Sequence, residues 1–130
     1  MEYKDFKLEI ATFSLAGALS AQLAGADRIE FCENPNEGGT TPSFGSLKLI
    51  KTKINIPIFP IIRPRGGDFL YSGDEFEAMR HDIALCKSLS FEGVVIGLLQ
   101  PDGNVDKNRT SQLVDEAYPM EVTFHRAFDR

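Results

Sequence analysis

Charged and polar side chains follow several apolar segments of this 130-residue chain. Arg63 and Arg65 come directly after one apolar run, while Glu30 and His125 lie near the ends of two others. Because parallel α/β folds place their chemistry at the carboxyl ends of strands, we expect these side chains to lie close together. Two guanidinium groups beside a carboxylate and an imidazole could hold an anion or a soft metal ion.

The alternation of side chains along a strand sorts the candidates by face. If the apolar residues pack on helices, the polar residues point to the other face, near the carboxyl end of the sheet. The set predicted on that face is Glu9, Glu30, Cys32, Arg63 and His125. Buried charges are too costly to remain alone, so these groups must pair with one another or with a ligand.

An anion site is one use of this set, with acid–base chemistry beside it. The predicted anion-binding residues are Arg63, Arg65, Asp68 and Arg126, and the predicted catalytic residues are Glu9, Glu30 and His125. Structural alternatives remain open for most of them. Glu9, Glu30 and Arg63 could form an internal salt-bridge network, and His125 could be a neutral core residue. Arg65 and Asp68 could hold only their own loop.

A metal site is the other use. Cu(I) prefers thiolate ligands and accepts imidazole, so Cys32 and His125 are the predicted metal ligands. Together they supply one sulfur and one nitrogen. Met79 and Cys86 fall on the inner stripe of a predicted helix, which favours a role in the core.

Composition narrows the class of protein. The net charge is −5, with 42% hydrophobic and 25% charged residues, which is typical of a soluble globular domain. Basic residues are scattered, which argues against nucleic-acid binding, and no apolar run is long enough to span a membrane. We expect a cytoplasmic protein whose two cysteines stay reduced.

Apolar runs alternate with amphipathic segments, which indicates a parallel sheet with helical crossovers. The predicted strands are 6–11, 28–32, 57–62, 93–97 and 122–125, and the predicted helices are 14–24, one beginning at Thr41-Pro42, one opening at Gly73, and 106–118. Polar residues inside strands, such as Glu9 and Glu30, suit the lumen of a barrel better than a sheet covered on both faces. We therefore predict one domain over 1–130, built as the first five βα units of a TIM-type barrel, which in closed form needs eight strands.

Four motifs carry a resemblance to a known family. In chain order they are GADRIEFCE, EGGTTPS, IRPRGGDFLYS and VTFHRAFD. The chain resembles the CutC family, usually called copper homeostasis proteins, from about residue 7 to residue 130. The resemblance implies a TIM barrel, of which about three βα units would be missing here, and a possible role in Cu(I) binding or trafficking.

The resemblance also implies a set of residues lining or flanking the barrel mouth. These are Glu9, Glu30, Arg63, Arg65, Asp68, His125, Arg126 and Asp129, with Cys32 after the second strand's glutamate. Many members carry a second cysteine where this chain has Ala11, so the resemblance implies a single thiol, that of Cys32, at the mouth. The alternative function is a barrel enzyme or binder acting on a small anionic metabolite, with no direct role for copper.

An incomplete barrel would leave its first and last strands unpaired. Bare strand edges favour pairing between chains. We therefore expect a homo-oligomer.

Overall fold

A computed structural model describes residues 6–129, so residues 1–5 and Arg130, the two ends of the predicted domain, lie outside the described residues. Strands and helices alternate along the chain. They are β1 (Glu9–Thr12), α1 (Leu15–Leu23), β2 (Arg28–Phe31), α2 (Phe44–Lys53), β3 (Ile58–Pro60), α3 (Gly73–Ser88), β4 (Gly93–Ile96), α4 (Lys107–Ala117) and β5 (Glu121–Phe124), with short 3-10 turns at Pro35–Glu37 and Arg126–Asp129.

The strands are parallel and lie in chain order. β1, β2 and β3 form one hydrogen-bonded group and β4 and β5 another. A single parallel bridge between Ile61 and Val95 joins the groups, and the Ile62 N–H donates to the Val95 carbonyl over 2.8 Å. This sequential order is that of a (β/α) barrel. The parallel α/β prediction is confirmed, and the described strands form an open sheet rather than a closed barrel.

Alternation along the strands gives the sheet two different faces. Ile29 and Phe31 of β2 pack with Leu47 and Ile50 of α2 in the main core. A smaller buried cluster, made of Cys32, Phe59, Ile61 and Val95, lies on the other face. The chemistry-bearing side chains have the parity of this second cluster, as the alternation predicted.

Local capping fixes where each helix begins. The Ser72 hydroxyl accepts from the Glu75 N–H while the Glu75 carboxylate accepts from the Ser72 N–H, which is a capping box at the start of α3.

In the part of the chain that the structure covers, no helix combines the length and apolar character that crossing a membrane requires.

The predicted start of the second helix at Thr41-Pro42 is wrong by two residues. Ser43 caps α2 instead, because its hydroxyl accepts from the Ser46 N–H over 3.1 Å. A residue before proline avoids the helical region, and Thr41 is held against the end of β3. Its hydroxyl accepts from the Arg63 N–H over 2.8 Å, so Thr41 positions Arg63 rather than a helix.

Candidate anion-binding site

A cavity of about 240 Å³ opens at the carboxyl ends of the strands. Its lining combines cationic, acidic and apolar groups from β2, β3, β4 and β5 and the loops that follow them. The lining residues are Glu30, Gly38, Ile61, Arg63, Phe69, Val95, Thr123, His125 and Arg126. The structure thus brings together four of the predicted site residues: Glu30, Arg63, His125 and Arg126.

Arg63 is a buried cation without a counterion among residues 6–129. Only 3% of the surface of Arg63 is exposed to solvent. The Nη1 and Nη2 atoms donate to backbone carbonyls of Gly39 over 3.0 Å and Gly67 over 2.8 Å, and Nη1 also donates to Glu37. The Nε atom is buried and has no hydrogen-bond partner. Carbonyl dipoles hold the guanidinium in place but do not neutralise its charge.

His125 presents a second unpaired donor. Its Nδ1 accepts from the Ala127 N–H over 3.2 Å, which leaves the proton of the neutral ring on Nε2. That Nε2 atom is buried without a partner. Burial first, and then the charges of Arg63 and Arg126, lower the pKa of His125 to about 4, so the ring is neutral at pH 7.

The ring of His125 fits because Gly97 has no side chain. A Cβ at Gly97 would lie 2.1 Å from the imidazole Cε1. The Phe69 ring lies on another side, with its centroid 5.0 Å from that of His125. The imidazole is therefore fixed in position by its neighbours.

Arg126 approaches Arg63 across the backbone of Gly38. A Cβ at Gly38 would lie 2.7 Å from Nη2 of Arg126 and 3.5 Å from Nη1 of Arg63. Gly38 has φ = 81°, a conformation that glycine adopts without strain. None of the carboxylates among the described residues lies within 4.0 Å of either guanidinium. Two positive charges, that of the buried Arg63 and that of the exposed Arg126, therefore share one wall of the cavity.

Glu30 provides the acidic group of the cavity. Burial raises the pKa of its carboxyl and the charge of Glu9 adds to the effect, while the Cys32 hydrogen bond and Arg28 oppose it. The Cys32 Sγ–H donates to Glu30 Oε1 over 3.5 Å. Burial, together with the nearby Glu30 carboxylate, raises the pKa of the Cys32 thiol far above neutrality. Cys32 is therefore a protonated thiol that orients Glu30.

Glu9 does not lie at the mouth, contrary to the prediction. It is the first residue of β1 and pairs in register with Arg28, the first residue of β2. Its Oε2 is 2.5 Å from the Arg28 Nε. Because β1 runs from Glu9 to Thr12, its carboxyl end lies three residues further on. Glu9 therefore forms a salt bridge, as the structural alternative proposed. Its charge raises the pKa of Glu30, but Glu9 does not line the cavity.

Arg65 and Asp68 also fall outside the cavity. Arg65 Nε is 2.5 Å from Glu75 Oε2, and its Nη2 is 3.0 Å from Asp68 Oδ1. Arg65 also donates to the Leu70 carbonyl over 2.8 Å. The pair therefore makes the loop contacts of the structural alternative and does not line this cavity, and its anion-binding role stays a prediction. Asp129 is exposed in the turn after His125.

The predicted metal ligands are not part of a larger donor cluster. Within residues 6–129, no group of three His, Cys, Asp or Glu side chains is arranged to hold a metal ion. Cys32 belongs to the buried cluster with Phe59, whereas His125 lines the cavity. Sequence reasoning missed Gly38 and Gly97, whose missing side chains make room for Arg126 and His125. The glycine pair of the EGGTTPS motif was the available signal for Gly38.

A parallel α/β unit with a cationic cavity at the carboxyl ends of its strands is the class of protein that this fold and site define. The sequence model of the CutC family matches residues 6–130, and the chain belongs to that family. The resemblance read from the four motifs is confirmed.

Relatives of high identity include the family protein CutC of Chromobacterium violaceum, 58% identical over 122 residues, and that of Salmonella newport, 56% identical over 122 residues. Each alignment covers 94% of this chain and 49% of the relative. The chain therefore spans about half the length of the curated relatives it matches.

Solved structures agree with the family assignment. One from Streptococcus agalactiae, named as a copper homeostasis protein CutC, has a TM-score of 0.88 and 31% identity over 95% of this chain and 61% of that chain. A rubisco-like protein from Burkholderia fungorum has a TM-score of 0.59 and 16% identity, covering 95% of this chain and 31% of that chain. The second likeness concerns the fold alone.

Proposed function

We propose that this chain binds a small anionic molecule in the cavity formed by Arg63, Arg126, His125 and Glu30. The observation that carries the proposal is the pair of guanidinium groups beside Gly38 with no carboxylate near either one in the described part of the chain. Arg63 is buried, so its charge is costly without a counterion, and a bound anion removes that cost. Arg126 is exposed and adds its charge from the rim of the cavity.

The unpaired donors support the same proposal. Arg63 Nε and His125 Nε2–H are buried without acceptors. Leaving a buried donor unsatisfied costs about 1–3 kcal/mol, and an anionic ligand would satisfy both donors at once. The low pKa of His125 keeps its imidazole neutral at pH 7, and a neutral imidazole donates one hydrogen bond through its protonated nitrogen.

Glu30 extends the proposal from binding toward catalysis. A carboxyl whose pKa is raised by burial holds a proton more readily than an exposed carboxyl and is suited to accept or return one. In this role Glu30 is the general base, and His125 is an electrophilic hydrogen-bond donor rather than the acid that the sequence predicted. Glu9 would act only through its charge on Glu30.

A ligand screen with two matched variants tests anion binding. Phosphorylated and carboxylated metabolites are screened by thermal shift with the full chain, and hits are titrated by calorimetry. A ligand at about 100 times its Kd stabilises the folded chain by about 2.7 kcal/mol. Arg126→Gln should abolish the shift, whereas Arg65→Gln, which removes the same charge from the loop pair with Glu75, should retain it.

Arg126→Gln is preferable to removal of Arg63 because Arg63 holds two loops through their carbonyls. The readout is the increment caused by the ligand, so a change in basal stability does not affect it. Equal increments in wild type and Arg126→Gln would contradict the proposed site. So would the absence of any hit with the wild-type chain.

Copper handling is the second candidate function, supported by the name of the streptococcal relative and by membership of the family. In this chain it would act through Cys32, with His125 as a nitrogen donor. The Cys32 thiol would have to lose its proton beside the Glu30 carboxylate, which raises its pKa. We therefore expect any Cu(I) binding to be weak at neutral pH.

Anaerobic titration with Cu(I) against a chromophoric chelator tests this candidate. Cys32→Ala is compared with Cys86→Ala, which removes the other buried free thiol from the core of α3. Loss of Cu(I) binding in Cys32→Ala alone would support copper handling. Equal binding by the wild type and both variants would exclude Cys32 as the ligand.

Both cysteines are free thiols, which is consistent with the proposed cytoplasmic location.

A further inference from the structure

We infer that the ligand of this cavity is a small phosphate monoester that carries a hydroxyl group on a short carbon chain. This inference deepens the proposed anion-binding function and rests on it. It follows from the distribution of charge along the cavity and from the size of the cavity.

The cavity has a cationic end that calls for two negative charges. Arg63 and Arg126 both approach Gly38, and His125 adds a neutral donor beside them. A carboxylate offers one charge, whereas a phosphate monoester carries a charge of about −1.5 to −2 at neutral pH and three acceptor oxygens. The three acceptors match the three donors: Arg63 Nε, His125 Nε2 and the guanidinium of Arg126.

The other end of the cavity carries the Glu30 carboxyl. Glu30 lies on β2, where its carboxyl accepts from the Cys32 thiol over 3.5 Å, whereas Arg63 and Arg126 meet at Gly38 in the loop after β2. A dicarboxylate would place its second negative charge beside Glu30, which is unfavourable. A hydroxyl group can donate to Glu30 instead, in either protonation state of the carboxyl.

The wall between the two ends is apolar. Ile61 and Val95 belong to the buried cluster, and Phe69 packs against His125. A volume of about 240 Å³ falls below the roughly 300–1,000 Å³ of pockets for drug-sized ligands. A carbon chain of a few atoms therefore fits between the phosphoryl group and the hydroxyl group.

Three matched probes test the inference by calorimetry with the full chain: glycerol 3-phosphate, its methyl diester and glycerate. The diester keeps the carbon chain but has one charge fewer, and glycerate replaces the phosphate by a carboxylate. We expect glycerol 3-phosphate to bind at least tenfold more tightly than either of the others. Equal affinities, or tighter binding of glycerate, would overturn the inference but leave anion binding intact.

Arg126→Gln should remove most of the preference by weakening the monoester by a factor at least five times larger than the factor by which it weakens the diester. Arg80→Gln is the matched control, because Arg80 pairs with Glu116 and Glu77 on the outside of α3. It should leave both affinities unchanged. A preference that survives in Arg126→Gln would overturn the inference. If none of the three probes binds, the inference fails, and the metabolite screen then decides separately whether anion binding fails too.

Discussion

Arg63 and His125 each keep one buried nitrogen without a partner, and both atoms belong to residues that line the same cavity. Alternation along the strands predicted that both would face it, because each follows an apolar strand with the polar parity. Alternation could not predict where the Arg65 side chain lies, although Arg65 is two residues after Arg63 and has the same parity. Its guanidinium instead pairs with Glu75, ten residues away in sequence. Contacts of this kind depend on how the loop turns.

The low pKa of His125 makes a prediction about stability against pH. The unfolded chain takes up a proton near pH 6.5 while the folded chain resists it down to about pH 4. His125 therefore costs no stability above pH 6.5, and the free energy of unfolding falls as the pH decreases from 6.5 to 4, by about 3 kcal/mol in total. Glu30 has the opposite effect, because its raised pKa favours the folded state at low pH.

Urea unfolding across this pH range isolates the His125 contribution. His125→Gln should flatten the decline between pH 6.5 and 4, whereas His81→Gln, which alters an exposed histidine of α3, should keep it. The groups that face His125 are Arg63 and Arg126, and both remain in the variant. An unchanged decline in His125→Gln would show that the imidazole is not buried beside these charges.

At the scale of elements, the loop between β2 and α2 completes the cavity. A bridge between Glu33 and Thr40 closes this loop, and its carbonyls at Glu37 and Gly39 accept from Arg63. The sequence predicted the strands and helices around the loop, because their apolar periodicity is strong. It could not predict that the loop would bring Arg63 and Arg126 together across Gly38, since that contact depends on one backbone conformation.

Gly38→Ala tests the role of the loop against a control glycine with a similar positive φ. Gly38 has φ = 81° and Gly103 has φ = 86°, so alanine at either site carries a similar backbone cost of about 1–2 kcal/mol. A Cβ at Gly38 meets Arg126, whereas a Cβ at Gly103 meets nothing within 4 Å. Anion affinity measured by calorimetry should fall at least tenfold in Gly38→Ala and stay within twofold in Gly103→Ala. Equal losses would assign the effect to the backbone alone.

At the scale of the whole molecule, the two outermost strands of the described part each have a neighbour on one side only. β1 pairs with β2, and β5 pairs with β4. The parallel order was predictable from the alternation of strands and helices, and the barrel was favoured by the acidic residues inside strands. Glu9 shows the limit of that reasoning. Glu9 has the parity that the barrel argument requires, but its pairing with Arg28 places it at the amino ends of the strands.

Unpaired strand edges predict association between chains. Light scattering should show a mass above that of one chain that increases with concentration. Phe128→Lys, which places a charge beside Phe124 of β5, should reduce this association. Leu23→Lys, at an exposed apolar residue of α1, is the control and should not. A single monomeric species at every concentration would contradict the prediction.

The central claim is that an anion binds to the unpaired nitrogens of Arg63 and His125. Nitrogen–proton NMR of these side chains tests it most directly, with the Arg63 Nε–H signal assigned by its loss in Arg63→Lys and the His125 Nε2–H signal by its loss in His125→Gln. Addition of glycerol 3-phosphate should shift both signals downfield together and saturably, with the signal of Arg80 unmoved. Signals of Arg63 and His125 that stay in place while the ligand binds, or that move no more than that of Arg80, would contradict the account.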